Sequence, residues 1–313
     1  MPRPIIGFVA LATSEYERLR ESAGLVDRSD RGKLLLTGGE AAEYLQGQVT
    51  NDVESLAPGQ GCYATLLTHK GKVVADMRVL RGPGWLLLDC EPHALAALRR
   101  NVDMYSIGRD VQLHDQTGER AILSLIGPAA RAALDADPPP DEHAWVEGEH
   151  GMYVTTDLGV DVVCAADDAD AVRSALGVEA VGLEAAECVR IESGRPRHGV
   201  DFDIDTIPQE AGLNERAVSF TKGCYVGQET VARLHYKGKP NRHLRGLRLS
   251  EPGQPGDVVM LGDRAVGHLG STVVSPVQGP IALALIRREA APGAEVSVGD
   301  GGHRAVVAEL PFV

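Results

Sequence analysis

The chain has 313 residues, 43% hydrophobic and 24% charged, a composition suited to two or three folded domains. Its formal net charge of −13 disfavours nonspecific nucleic-acid binding. No apolar run approaches the ~18 residues that cross a bilayer, so no membrane partner is expected.

The short apolar start, Met1 to Ala12, could be misread as a signal peptide. A charged helical run with Glu15, Arg18, Arg20 and Glu21 follows it without a cleavage site, so the expected location is cytoplasmic. Ser14 and Glu17 form a capping-box pattern opening that helix. A strand is predicted at 33–37 and a helix at 39–48. Three strands follow at 62–67, 73–80 and 85–90, joined by Thr68-His69-Lys70-Gly71 and Arg81-Gly82-Pro83-Gly84, which are good turn sequences for an antiparallel meander. A helix is expected at 92–102, a strand at 121–126, a short helix at 128–134 and a loop at 135–142. A hairpin spans 152–156 and 160–165. Helices at 168–176 and 183–193 precede an irregular stretch with a brief helix near 210–217, and another helix covers 228–235.

After Pro240 the pattern changes to strands and turns, predicted at 244–249, 258–260, 265–274, 281–286, 295–298 and 304–310. The fold class expected is α+β with a C-terminal antiparallel β-barrel. The expected regions are 1–115, 116–240 and 241–313, the first two interleaved.

Five cysteines, none in a Cys-x-x-Cys spacing, argue against a disulfide framework and a self-contained zinc or cluster site, so no resident metal is expected. One of them stands apart. Residues 222–229 read Lys-Gly-Cys-Tyr-Val-Gly-Gln-Glu, with Cys224 two positions after Lys222 and just before a predicted helix. A nearby cation and a helix N-terminus both favour thiolate, the reactive form. A lone cysteine is more often a small buried core residue. The polar neighbours Lys222, Gln228 and Glu229, beside Tyr225, weigh against that reading. Downstream, Arg233, Lys237, Lys239, Arg242, Arg245 and Arg248 form an acid-free basic stretch. It reads either as a solvated face or as an anion site.

The octapeptide resembles the Lys-Gly-Cys-Tyr-x-Gly-Gln-Glu signature of the YgfZ proteins at every position. These are folate-binding accessory proteins of iron–sulfur metabolism, related to the aminomethyltransferase (T-protein) of glycine cleavage. Leu45–Val53, Arg190–Gly194 and Pro311–Val313 are similar to other signatures of the family, so the likeness spans most of the chain. It implies a three-domain ring with the barrel last, tetrahydrofolate as ligand, and iron–sulfur enzymes or assembly proteins as partners. It also leaves open a folate-dependent aminomethyltransferase or other one-carbon transferase, and a link to tRNA modification.

Residue by residue, the resemblance implies catalytic roles for Cys224 and Asp76, the latter at the place of the transferases' second consecutive Asp. Here the first of that pair is Ala75. Asp161 matches an acidic residue on the pterin ring, where a carboxylate accepts two side-by-side N–H bonds. Asn51, Arg190, Glu192, Lys222, Tyr225, Gln228 and Glu229 are further cofactor-binding candidates. Ala186 stands where the transferases carry a folate-contacting Arg, so bidentate recognition from that position is lost.

Overall fold

The computed structural model describes residues 13–312. In chain order the first elements are α1 (Thr13–Glu21), β1 (Gly24–Asp27), β2 (Gly32–Thr37), α2 (Ala41–Gln48), β3 (Gly61–Leu67), β4 (Val73–Gly82), β5 (Trp85–Cys90), α3 (Leu95–Tyr105) and β6 (Gln112–Asp115). Next come β7 (Arg120–Ile126), β8 (Trp145–Gly148), β9 (Gly151–Thr155), β10 (Gly159–Ala165), α4 (Ala169–Leu176), α5 (Leu183–Glu192), α6 (Asn214–Ala217) and α7 (Gln228–Lys237). Six strands finish the chain: β11 (Arg242–Leu249), β12 (Val258–Leu261), β13 (Arg264–Ser275), β14 (Gly279–Arg287), β15 (Glu295–Val298) and β16 (His303–Ala308).

Two five-stranded antiparallel sheets run in the orders β3-β4-β5-β2-β6 and β1-β7-β10-β9-β8. The last six strands close into a barrel, β11-β14-β13-β12-β15-β16. Strand β1 lies in the second sheet beside β7, although β2 belongs to the first.

The strand period of two sorts side chains between layers. On β4, Ala75, Met77 and Val79 pack under α2 and α3 with Tyr44, Leu45, Leu98 and Val102. Their alternates Asp76, Arg78 and Leu80 face the second sheet. There Leu80 and Leu87 meet Ile122, Met152, Val154 and Val163 in a layer joining the sheets. Along the same strands this layer turns polar, at Asp76, Arg78, Asp89, Ser124 and Asp161, and it is there that a cavity opens. A separate apolar cluster ties Ile191 of α5 to Leu244, Ile281, Leu283 and Phe312 at the barrel.

Three short strands, β1, β6 and β8, escape prediction. Each has four residues and lies at a sheet edge, so none is long enough to show alternation. The expected helix at 210–217 contracts to α6, and that at 128–134 to a single 3₁₀ turn over Ala130–Ala133. The signal-peptide question concerns residues outside the described range. Among the described residues no helix is long and apolar enough to cross a membrane.

Candidate functional site

The polar end of the inter-sheet layer encloses a cavity of about 190 Å³. That is below the ~300–1,000 Å³ of pockets that engulf whole drug-sized ligands. It suits one end of an elongated molecule.

Its walls are a lattice of arginines and carboxylates. Asp89 on β5 accepts from Arg31 Nε at 2.5 Å and lies 2.7 Å from Arg78 Nη2. Burial pushes the Asp89 carboxyl up, but Arg31 and Arg78 overcome that and hold it below its usual pKa. Arg78 also donates to Asp161 at 2.7 Å, and Ser124 Oγ donates to the other Asp161 oxygen at 2.6 Å. Towards the rim, Arg195 pairs with Asp157 at 2.6 Å, Arg190 with Glu187 at 2.8 Å, and Arg216 with Glu142.

Against this lattice a few groups stand uncommitted. Asp76 is 7% exposed and meets no arginine. Tyr63 donates its hydroxyl to Oδ2, while Oδ1 is buried without a hydrogen-bond partner. His198 Nδ1 lies 3.7 Å from that oxygen and 3.0 Å from His93 Nε2. Burial lowers the His198 pKa against the pull of Asp76, so the imidazole is neutral at pH 7. His143 also lines the cavity, in the left-handed region at φ 71°, with Nδ1 buried and unpartnered. Burial, then Arg78 and Arg216, push its pKa down to about 3.

The octapeptide loop lies elsewhere, and none of Lys222, Cys224, Tyr225, Gln228 or Glu229 lines the cavity. Lys222 Nζ donates to the carbonyls of Gln46, Val49 and Asn51 at 2.6, 2.7 and 2.8 Å. It also sits 5.2 Å from the Tyr225 ring centre. All three ammonium hydrogens are thereby committed to carbonyls. Burial lowers its pKa to about 8. Tyr225 is buried among Leu67, Val73, Phe202 and Val231. Gly227 takes φ 84°, and a Cβ there would stand 2.5 Å from the Thr68 carbonyl oxygen, so this turn requires glycine. Gln228 opens α7 half-buried, Glu229 is exposed, and Cys224 is exposed.

Of the remaining candidates, Asn51 braces the loop before β3, donating to the carbonyls of Tyr63 at 2.8 Å and Arg216 at 3.2 Å. Arg190 reaches the cavity wall yet also donates to Ser271 of the barrel at 2.6 Å and to Asp201 at 3.1 Å. Glu192 is buried off the cavity, accepting from Tyr16 at 3.0 Å and Ser275 at 2.5 Å. Arg190 and Glu192 therefore join α5 to the barrel. The basic stretch is partly neutralised, with Arg242 on Glu210 and Arg245 on Glu309. Among the described residues no cluster of three or more His, Cys, Asp or Glu is arranged to hold a metal.

The residues missed from sequence are Arg28, Arg31, Arg78, His143 and His198. Only Arg78 left a signal, as a charged residue on the Asp76 face of a strand. Isolated histidines in loops leave none.

A two-sheet α+β body closed by a six-stranded barrel is the architecture of a known class, the glycine cleavage T-proteins. Residues 8–143 match the GCVT N-terminal domain and 242–313 the glycine cleavage T-protein C-terminal barrel domain. A probable aminomethyltransferase of Natronomonas pharaonis is 31% identical, over 96% of this chain and 90% of that one. A putative chloroplastic transferase of Arabidopsis thaliana is 29% identical, over 92% and 71%. The glycine cleavage system aminomethyltransferase T of Bartonella henselae superposes with a TM-score of 0.86 at 25% identity, over 96% and 89%. The chain belongs to the aminomethyltransferase (T-protein) family.

Proposed function

We propose that this chain binds tetrahydrofolate in the inter-sheet cavity and serves iron–sulfur enzymes as an accessory factor of the YgfZ type. The single observation that carries folate binding is the buried, unpartnered Oδ1 of Asp76 in a cavity whose other carboxylates are committed. An orphaned buried carboxylate oxygen calls for a hydrogen-bond donor, and the N–H groups of a reduced pterin offer several. The cavity volume suits the bicyclic head, with the tail running outward.

Tetrahydrofolate, when bound, supplies a carrier for a one-carbon unit. The chain's own contribution is placement. Tyr63 fixes one oxygen of Asp76 and leaves the other for the ligand. Asp161, already held by Arg78 and Ser124, retains acceptor capacity for a second contact. The accessory role is supported by the octapeptide, by its exposed Cys224, and by Ala75 and Ala186 at two transferase positions.

The test is calorimetry with tetrahydrofolate on the wild type and Asp76→Asn, beside an assay of iron–sulfur enzymes in cells lacking the protein. Expected are wild-type binding, about tenfold weaker binding by the variant, and restored enzyme activity on complementation. Equal binding by both proteins would sink the Asp76 assignment. A second reading, aminomethyl transfer in glycine cleavage, is favoured by the relatives' names and by Asp76 itself. Robust methylenetetrahydrofolate formation from an aminomethyl-lipoyl carrier would put it first.

A further inference from the structure

Arg28 follows β1 and lines the cavity. Its main-chain N–H is bonded to Ile122 O, but the side chain has no hydrogen-bond or ion-pair partner among the described residues. Every other arginine on the cavity wall meets a carboxylate: Arg31, Arg78 and Arg190 as described, and Arg195, Arg197 and Arg216 on Asp157, Glu187 and Glu142. The same wall has one carboxylate without an arginine, Asp76. Among the described residues the wall thus leaves one cation and one anion outside its guanidinium–carboxylate pairs, both lining the same cavity.

Burial, then repulsion from Arg31, lowers the Arg28 pKa, and Asp161, Asp89 and Glu91 act in the opposite sense without touching it. A guanidinium keeps its proton under any such shift. Arg28 is only half-buried, so its charged donors stay open to water or to the acceptor of a ligand. Across the cavity, α5 presents Ala186, which has no polar group to offer.

We infer that Arg28 is a ligand-recognition residue, donating to the ring-carbonyl oxygen of a bicyclic pyrimidinone head whose N–H groups face Asp76. This rests on the folate reading above and adds a specificity determinant to it. The commitment to the head rather than the carboxylate tail follows from volume. About 190 Å³ encloses one end of the ligand, and Arg28 is on the wall of that enclosure.

The experiment compares wild type with Arg28→Gln using two probes: tetrahydrofolate, and 6-methyltetrahydropterin, which has the head and no tail. Thermal melting of both proteins without ligand is measured alongside. The variant is expected to bind each probe about 10- to 100-fold more weakly, with a melting temperature close to that of wild type. A structural arginine would show the reverse, a lower melting temperature with affinity retained. Equal affinities for both probes would overturn the inference while leaving folate binding intact. Loss confined to tetrahydrofolate would move Arg28 to the tail and overturn the head assignment. A wild type that binds neither probe would bring down the folate reading and this inference with it.

Discussion

At the cavity, Asp89 stands between the guanidiniums of Arg31 and Arg78, and each charge is answered by a charge. In the octapeptide loop, Lys222 has no ion-pair partner among the described residues and is answered by three main-chain carbonyls. The first arrangement fixes walls drawn from both sheets. The second clasps two loops, 46–51 and 222–227, through one side chain. Side-chain lattices of the first kind leave groups such as Arg28 and Asp76 outside their ion pairs, and it is to these that the folate reading assigns the ligand. The carbonyl clasp leaves no Lys222 donor over.

The comparison breaks most visibly at Asp89. Replacing it with Ala takes the shared partner from two buried cations, leaving Arg31 with Glu91 and Arg78 with Asp161, and a loss of about 3–4 kcal/mol is expected in denaturant unfolding. Asp157→Ala, whose side chain is 25% exposed at the rim, should cost under about 1 kcal/mol. Equal losses would mean that the lattice is not a buried frame. Lys222→Met comes next, at about 2–4 kcal/mol, because carbonyls that were paired become orphans. Limited proteolysis should then cut first between residues 219 and 227. A variant as resistant as wild type would show that the loop is held by Tyr225 packing instead.

These two regions also differ in how far they could be read from sequence. The octapeptide is contiguous, so its glycines, its lysine and its cysteine announced themselves together. The carbonyl clasp of Lys222 was not legible, because its three acceptors lie some 170 residues earlier in the chain, in a loop whose docking no local pattern encodes. The cavity is assembled from strands and loops between Arg28 and Arg216, and only Asp76, Asp161 and Arg190 were anticipated. The architecture was more legible than the site. Alternation and turn chemistry marked the long strands and the barrel, while four-residue edge strands carried no period to detect.

A smaller effect concerns pH. His143 has its pKa pushed from the usual 6.5 to about 3, so it stays neutral in the folded chain across that interval. The unfolded chain takes up the proton there, so it binds more protons than the native state. Its stabilising contribution is complete above pH 6.5 and is lost as the pH falls towards 3. Wild type should therefore lose stability on acidification faster than His143→Gln, by at most about 1.4 kcal/mol per pH unit. Arg78, Arg216, Asp157 and Asp161 face this ring and belong to both proteins, so they cancel in the difference. Parallel pH profiles would mean that His143 is not buried neutral.

The smallest effect on stability, and the most telling for function, is expected at Cys224. Cys90, Cys164 and Cys188 are buried and Cys62 half-buried, whereas Cys224 is exposed. Burial raises the thiol pKa of Cys62, Cys90 and Cys188 to about 12, which removes thiolate at ordinary pH. Alkylation at pH 8 followed by mass spectrometry should label Cys224 first and the others only on unfolding. Serine has nearly the same size and meets no packing demand at an exposed position, so Cys224→Ser should change stability by less than about 0.5 kcal/mol. Tetrahydrofolate binding should also persist, since the loop does not line the cavity. The variant should nevertheless fail to restore iron–sulfur enzyme activity in cells lacking the protein. Full restoration by the serine variant would reduce the octapeptide to a structural clasp, and the accessory reading would fall while the folate site stood.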